Sequence, residues 1–179
     1  MKFTQSISEA ANWIKEGRII CYPTEGVWGI GSLNEPELIK KIGKIKQRDL
    51  NKKFILLFDS LETLGSKYRI EKKYLKRAKE YEYSFTTIVF PTLDGDTVAA
   101  RVPSFKTLKE LLNKVGEEII STSANISTQD VCKNVTEIKA CFVSEVYGVL
   151  DLELQGQTKP STIIDIKENE VIKIGRAHV

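Results

Sequence analysis

The sequence predicts an α/β protein with a single domain, in which helices flank one twisted sheet of mixed parallel and antiparallel strands. Apolar runs typical of strands alternate along the chain with segments of helical spacing, an order that favours parallel strand pairs. Some neighbouring runs are too close together for a crossover helix, and these indicate antiparallel hairpins. The length of 179 residues is that of one domain, which we expect to cover residues 1–179.

The first part of the chain begins with a predicted helix. Ser6 and Glu9 have the spacing of a capping box, and Gly17 is placed to end the helix. The apolar run 18–22 predicts a strand. Because segment 24–32 contains three glycines, we expect a loop whose backbone closely approaches another part of the molecule or a ligand.

The later elements follow from the same patterns. Residues 36–46 begin with a proline and carry apolar side chains at helical spacing, which predicts a helix. The continuous apolar run 54–58 is typical of a strand buried on both faces. Further helices are predicted at 60–67, 71–82, 105–115 and 134–142, and further strands at 86–90, 97–101, 118–121, 146–151, 162–166 and 171–174.

The composition is that of an ordinary globular protein, with 41% hydrophobic and 28% charged residues, which excludes a disordered or collagen-like chain. No apolar run reaches the ~18 residues that a membrane-spanning helix needs, and the first residues lack the apolar core of a signal peptide. The three cysteines are widely spaced and form no CxxC pair, a usage that suits a reducing compartment. We therefore expect a cytoplasmic protein.

The net charge of +3 is unevenly distributed along the chain. Residues 40–53 and 67–79 together carry a net charge of +12, so the rest of the chain carries −9. Such a positive field attracts phosphate groups, whether of a nucleotide or of a nucleic acid. The alternative is that these side chains only form solvated helix faces, and for the second stretch the two interpretations are evenly balanced.

Several common catalytic devices are absent from the sequence. It contains neither the P-loop pattern GxxxxGK[ST] nor the dinucleotide-binding pattern GxGxxG. The only histidine is His178, next to the last residue, which disfavours a Ser-His-Asp or Cys-His mechanism. No group of histidines, cysteines and carboxylates has the spacing of metal ligands. The sequence thus favours catalysis by positioning and electrostatic stabilisation.

Four segments share the small polar side chains and the strand-end position typical of binding loops: 22–30, 46–48, 121–125 and 160–162. Taken singly, each has a plainer explanation. Thr24 could close a turn, and Lys46 with Arg48 could complement the dipole of a helix C-terminus. The serines and the asparagine of 121–125 could stabilise turns, while Tyr22 and Trp28 could belong to the core or to a pocket wall.

Five sequence motifs resemble those of the YrdC-like family and occur in the same order along the chain. They are CYPTEGVWGIG at 21–31, KQR at 46–48, AARVP at 99–103, STSANIS at 121–127 and PSTIID at 160–165. The chain resembles this family over nearly its whole length, in the short bacterial threonylcarbamoyl-AMP synthase (TsaC-type) form that lacks an extra C-terminal domain. The resemblance implies the YrdC-like fold, in agreement with the mixed sheet predicted above.

The resemblance also implies an enzyme, specifically a nucleotidyltransferase. Members of the family make L-threonylcarbamoyladenylate and pyrophosphate from ATP, L-threonine and bicarbonate. The product serves the N6-threonylcarbamoyl modification of adenosine 37 in tRNA, which the proteins of a threonylcarbamoyl transferase complex complete. Contact with tRNA itself would fit the two basic stretches. Mg²⁺ is expected to accompany ATP and to bridge its phosphates, which fits the lack of a ligand cluster in the sequence.

Site residues follow from the resemblance, position by position. Catalysis and ATP binding fall to Lys46 and Arg48, whose fixed charges would stabilise the leaving pyrophosphate. Further ATP contacts are expected from Lys52, Thr87, Ser123 and Asn125, threonine contacts from Thr24, Ser121 and Ser161, and a carboxylate or phosphate clamp from Arg101. In the implied mechanism a carbamate formed on threonine attacks the α-phosphorus of ATP, while the protein holds the reactants together and excludes water.

The sequence departs from the family pattern at several points. Residues 82–85 read Glu-Tyr-Ser-Phe where many members have Trp-Pro-Gly-Pro, so this loop has a different backbone shape. Asp49 stands where proline is usual, and Lys53 and Phe54 stand where a Pro-Leu pair is common. These differences concern loop geometry and nucleotide affinity more than the fold.

Two other functions remain open from the sequence. A weakly active or inactive YrdC-like module that binds tRNA or double-stranded RNA would account for the basic stretches, although it would not need the polar segments. A carbamoyl-phosphate-using enzyme is the second alternative, because similar modules occur within hydrogenase-maturation proteins. The acylphosphatase and zinc-finger segments of those proteins are missing here, which disfavours this reading.

Overall fold

The computed structural model describes residues 1–49, 53–82, 84–142, 144–157 and 161–173. Within these ranges one sheet contains ten strands: Lys2–Thr4 (β1), Ile20–Pro23 (β2), Trp28–Leu33 (β3), Ile55–Leu57 (β4), Thr86–Pro91 (β5), Thr97–Arg101 (β6), Ile119–Ser123 (β7), Gly148–Leu150 (β8), Thr162–Asp165 (β9) and Glu170–Lys173 (β10). Their spatial order is β1-β8-β2-β3-β7-β4-β6-β5-β9-β10. Four neighbouring pairs are parallel and five are antiparallel, which confirms the predicted mixed sheet.

The described α-helices are Ile7–Lys15 (α1), Pro36–Ile45 (α2), Leu61–Tyr68 (α3), Lys72–Ala78 (α4), Lys106–Val115 (α5) and Val135–Phe142 (α6). The predicted cap of α1 is confirmed, since the Ser6 hydroxyl accepts a hydrogen bond from the Glu9 backbone N–H at 3.3 Å. The helix predicted over 71–82 is shorter than expected. It ends at Ala78 and is followed by one 3₁₀ turn over residues 79–81.

Strand β3 corrects the expectation that 24–32 is a loop. Residues 28–33 pair with β2 on one side and with β7 on the other. The glycines are needed because the Tyr22 ring lies across this part of β3. A Cβ atom at Gly29 would lie 2.9 Å from that ring, and one at Gly31 would lie 2.1 Å from the Ile120 carbonyl oxygen and 2.5 Å from the Tyr22 hydroxyl. The glycines thus mark close packing inside a strand.

Two further differences concern strand bounds. Strand β7 continues through Thr122 to Ser123, although the sequence predicted a loop from Thr122 onward. Strand β1, at one edge of the sheet, was not predicted, because its three residues carry no apolar run and it is ordered by pairing with β8. The final hairpin is confirmed for the described residues, with β9 and β10 antiparallel.

The two faces of the sheet are covered unequally. Helices α2, α3, α4 and α6 contribute side chains to the larger core on one face. The other face packs against α1 and α5, where Leu57 and Ile119 lie in the same apolar cluster as those helices. Because side chains alternate along a strand, Ile55, two residues before Leu57, and Ser121, two residues after Ile119, must point to that same face. Both of them line a cavity on this face.

None of the helices in the described ranges combines the length and the apolar character that a membrane crossing requires.

Candidate active site

A cavity of about 370 Å³ lies on this second face, where several strands end. Residues from distant parts of the chain share its wall: Thr24, Val27, Gly29, Arg48, Lys53, Phe54, Ile55, Phe85, Val89, Ala99, Arg101, Ser121, Thr122, Ser123, Ser161, Ile163 and Ile172. Six of these were predicted from the sequence as site residues. The fold therefore brings together Thr24, Arg48, Arg101, Ser121, Ser123 and Ser161.

Thr24 is the first residue of the turn between β2 and β3 and is almost fully buried. Its hydroxyl donates to the Val27 carbonyl at 2.6 Å and accepts from the Val27 N–H at 3.4 Å, so it closes the turn between the strands. Its methyl group would lie 3.1 Å from a Cβ atom at Gly29. The turn role considered for Thr24 is thus correct, and the same residue also lines the cavity.

Lys46 lies behind the cavity wall and is 2% exposed. Its Nζ donates to the Ser123 carbonyl, to the Asn125 carbonyl at 2.7 Å and to the Asn125 Oδ1 at 3.0 Å. In addition, the Lys46 carbonyl accepts from the Ser127 N–H at 2.7 Å. The ammonium group therefore binds the loop after β7 rather than the carbonyl groups at the end of its own helix α2, which excludes a simple dipole role.

The loop that Lys46 holds is itself tightly hydrogen-bonded. The Ser123 hydroxyl donates to the Asn125 Oδ1 at 2.7 Å, and the Asn125 side-chain amide donates to the Gln129 carbonyl at 2.7 Å. Ser123 lines the cavity, whereas Lys46 and Asn125 lie one layer behind it. Burial, followed by the nearby Arg48 charge, lowers the pKa of Lys46 to about 8.

Arg48 extends from the end of α2 into the cavity wall and is half-buried. The preceding residue, Gln47, has a φ of +50°, a left-handed conformation that turns the chain there. The Arg48 Nη2 donates to the Lys53 carbonyl at 3.0 Å, and the guanidinium lies 5.0 Å from the centre of the Phe54 ring. Its buried Nε–H has no hydrogen-bond partner among the described residues. Burial lowers the pKa of Arg48, yet an arginine remains charged at neutral pH.

Arg101 forms a buried ion pair that the sequence analysis missed. Its Nη1 binds the Glu25 carboxylate, and the two side chains are 7% and 2% exposed. The Arg101 guanidinium also lies 4.8 Å from the centre of the Phe85 ring, and its Nε–H is unpartnered among the described residues. Glu25 belongs to the CYPTEGVWGIG segment quoted above, but no local sequence pattern predicts its pairing with a residue 76 positions away.

Of the remaining predicted residues, Thr87 and Ser161 contact each other, and Lys52 lies outside the described ranges. Thr87 is fully buried in β5, and its hydroxyl is 2.8 Å from the hydroxyl of Ser161, which lines the cavity just before β9. Lys52 falls outside the described residues, so its predicted ATP contact stays a prediction. Lys53, which was not predicted, lines the cavity and binds Asp96 at 2.6 Å.

The charge balance of the wall indicates an anion-binding site. The wall carries three cations, Arg48, Lys53 and Arg101, and no carboxylate among the described residues. Lys53 is paired with Asp96 and Arg101 with Glu25, two residues that do not line the cavity. Among the described residues, no three side chains of histidine, cysteine, aspartate or glutamate are grouped to hold a metal ion. The wall can thus bind a polyanion and a smaller anion, and serine and threonine hydroxyls add neutral donors.

The chain matches the Sua5/YciO/YrdC family model, described as telomere recombination, over residues 12–177. It is 33% identical to the threonylcarbamoyl-AMP synthase of Pseudoalteromonas translucida, an alignment covering 97% of this chain and 100% of that protein. It is 30% identical to the threonylcarbamoyl-AMP synthase of Vibrio campbellii, over 90% of this chain and 95% of that protein.

Two solved structures show the same architecture. The P. abyssi Sua5 protein, complexed with L-threonine, superposes with a TM-score of 0.81 at 25% identity, covering 97% of this chain and 56% of that one. The present chain thus spans little more than half of that larger protein. E. coli YciO also gives a TM-score of 0.81, at 22% identity, covering 99% of this chain and 95% of that one, and this likeness concerns the fold.

Proposed function

The chain belongs to the Sua5/YciO/YrdC family, as its resemblance to YrdC-like proteins indicated, and on that premise we propose that it is an L-threonylcarbamoyladenylate synthase. It forms threonylcarbamoyl-AMP and pyrophosphate from ATP, L-threonine and bicarbonate. The observation that supports this most strongly is the shared cavity, where Thr24, Arg48, Ser123 and Ser161 meet although the sequence separates them widely. Because AMP is transferred to a carbamate and pyrophosphate leaves, the enzyme is a nucleotidyltransferase.

The phosphates bind at the cationic part of the wall. Arg48 contributes a full positive charge there, and Lys53 lies beside it. Lys46, together with Asn125, shapes this region by holding the end of β7, where Ser123 lies, and the loop that follows it. Lys52 and the buried Thr87 complete the expected nucleotide contacts. Fixed cations of this kind stabilise the charge that develops on the leaving pyrophosphate, and they do so without reorganising during the reaction.

Threonine binds at the hydroxyl-rich part of the wall. Thr24, Ser121 and Ser161 supply donors and acceptors to its amino, carboxylate and hydroxyl groups. Arg101 binds a carboxylate or bicarbonate near by, and its unpartnered Nε–H is a donor that such a ligand would satisfy.

The reaction needs positioning more than chemical participation by a side chain. The threonine amine attacks the carbon of bicarbonate, water leaves, and a carbamate forms. A carbamate oxygen then attacks the α-phosphorus of ATP, and pyrophosphate leaves. A cavity that holds the three reactants in contact supplies the effective concentration and protects the labile carbamate from water.

Mg²⁺ enters this scheme with ATP. The described residues that line the cavity include no carboxylate, and the nearby Glu25 is already bound to Arg101, whereas Arg48 and Lys53 lie where we place the phosphates. Such a donor set suits an ion carried by phosphate oxygens and water, as Mg²⁺ usually is in nucleotide sites. When bound, the ion would offset the negative charge of the triphosphate.

The product is consumed in tRNA modification. Its threonylcarbamoyl group passes to adenosine 37 of tRNA with the help of transferase complex proteins, so the enzyme acts in the cytoplasm beside these partners. A second candidate function is supported by α4, where the side chains of Lys72, Lys73 and Lys76 are exposed. A YrdC-like module that binds tRNA or double-stranded RNA, with little or no catalysis, would use that surface.

Pyrophosphate release from ATP tests the proposal, with threonine and bicarbonate omitted in turn. We expect release only when both are present. Arg48→Ala should lower the rate at least tenfold, whereas Lys109→Ala, which removes an exposed lysine of α5, should leave it unchanged. Release that needs neither substrate would contradict the proposal. RNA binding without any release would favour the second function.

A further inference from the structure

Two phenylalanines of the cavity wall each pack against one of its arginines. The Phe54 ring centre lies 5.0 Å from the Arg48 guanidinium, and the Phe85 ring centre lies 4.8 Å from that of Arg101. Both rings also line the cavity.

A ring face holds an arginine differently from a carboxylate. The attraction is between the cation and the electron-rich face of the ring, so it neither neutralises the charge nor occupies an N–H donor. The Nε–H groups of Arg48 and Arg101 are both buried and lack a hydrogen-bond partner among the described residues. A buried donor without a partner is costly, and an anionic ligand would remove that cost.

The two arginines differ in their remaining contacts. Arg101 is neutralised by the buried Glu25 carboxylate, so this pair suits a ligand with a single negative charge. Arg48 donates to the neutral backbone carbonyl of Lys53, which leaves its charge in place, while the Lys53 ammonium in the same wall is paired with Asp96. The Arg48 side therefore suits the more highly charged ligand.

We propose that Phe54 and Phe85 are positioning residues with separate substrates: Phe54 aligns Arg48 for the triphosphate, and Phe85 aligns Arg101 for a singly charged carboxylate or bicarbonate. The proposal rests on the synthase function proposed above, since that function supplies both kinds of anion.

The test compares Phe54→Leu with Phe85→Leu in steady-state kinetics. Phe54→Leu should raise the KM for ATP about threefold to thirtyfold, the range of a cation–π contact in a partly buried site, and leave the KM values for threonine and bicarbonate unchanged. Phe85→Leu should raise the KM for threonine or for bicarbonate and leave that for ATP unchanged. Whichever of the two KM values rises identifies the ligand of Arg101. Tyrosine at either position should restore most of the affinity because it keeps the ring face.

Phe105→Leu is the matched control, since Phe105 is half-buried like Phe85 and packs against the apolar cluster of α1 and α5, but does not line the cavity. It should leave all three KM values unchanged. If Phe54→Leu and Phe85→Leu raise every KM alike, or if leucine and tyrosine behave the same, the rings are ordinary packing and the proposal is wrong.

ATP binding by calorimetry separates this proposal from the proposed function, because it needs no turnover. Weaker ATP binding by Phe54→Leu in a protein without synthase activity would support the role of Phe54 and overturn the synthase function. An active enzyme in which Phe54→Leu binds ATP as tightly as the unmodified protein would retain the function and overturn the role of the ring.

Discussion

The Nζ atom of Lys46 lies 2.7 Å from the carbonyl oxygen and 3.0 Å from the Oδ1 of Asn125, a residue 79 positions further along the chain. This contact joins the end of α2 to the loop that follows β7. Because the Oδ1 of Asn125 also accepts a hydrogen bond from the Ser123 hydroxyl, the contact orients Ser123, a residue of the cavity wall. The geometry of the site thus depends on a polar network in the layer behind it.

Asn125→Ala should destabilise the protein by about 1–3 kcal/mol, because the buried Lys46 ammonium would lose an acceptor. The free energy of unfolding in urea measures this effect. Asn113→Ala is the control, since Asn113 is exposed on α5 and should tolerate the change. Equal stability of the two variants would show that the Lys46–Asn125 contact contributes nothing.

The low pKa of Lys46, about 8, predicts a pH-dependent stability. Between this pKa and the ordinary value of 10.5, the unfolded chain binds more protons than the folded one, so stability should rise with pH. Lys46→Met should remove a rise of about 3 kcal/mol between pH 8 and pH 10.5, in the free energy of unfolding measured across this range.

The control for this titration is Lys44→Met, which removes an exposed lysine of the same helix. It should keep the pH dependence of the unmodified protein. NMR of labelled lysine side chains provides a direct reading, with one resonance titrating near pH 8 and missing from Lys46→Met. A protein in which every lysine titrates near its ordinary pKa would contradict the burial argument.

Gly31→Ala should be more damaging than Gly29→Ala. A Cβ atom at Gly31 would lie 2.1 Å from the Ile120 carbonyl oxygen, and this backbone atom belongs to a paired strand that cannot yield cheaply. At Gly29 the obstacles are the side chains of Tyr22 and Thr24, at 2.9 Å and 3.1 Å. We expect Gly31→Ala to cost about 1–3 kcal/mol or more in the free energy of unfolding.

Gly29→Ala should act mainly on the substrate. Pressure on the Thr24 methyl would displace a residue that we place at the threonine, so the KM for threonine should rise more than the KM for ATP. The two alanine variants together distinguish packing from binding. The reverse order of stabilities, with Gly29→Ala the less stable, would contradict the packing described for β3.

Glu25→Ala should destabilise the protein by about 3–5 kcal/mol, since removal of one partner leaves the buried Arg101 charge uncompensated. Asp96→Ala is the comparison, because it breaks the exposed pair with Lys53 and should change stability little. Thermal or urea unfolding of both variants measures the difference. Similar small losses would show that solvent reaches Arg101 and screens its charge.

Much of the fold could be predicted because apolar spacing and helix caps are local signals. The strand over 86–90 and the cap at Ser6 are examples. Strand β3 was missed because its glycines, which make room for Tyr22, have the composition of a loop. The packing of the Tyr22 ring against β3 is a tertiary contact, which cannot be inferred from a single sequence.

The sequence predicted which residues belong to the candidate site, but not which of them line the cavity and which lie behind its wall. Six predicted residues line the cavity, yet nothing local indicated that Lys46 would lie behind the wall with its donors occupied. The Glu25–Arg101 pair and the two ring contacts were likewise invisible, because each depends on how distant segments meet in the fold. Long-range polar contacts carry no periodicity from which they could be inferred.

The most direct test of the central claim is mass spectrometry of the adenylate that the purified protein forms from ATP, threonine and ¹³C-bicarbonate. The account predicts threonylcarbamoyl-AMP that carries the label, and no adenylate when bicarbonate is removed. An unlabelled threonyl adenylate would show that the protein activates the amino acid directly, and the absence of any adenylate would show that the cavity does not perform this synthesis. Either of these results would contradict the proposed function.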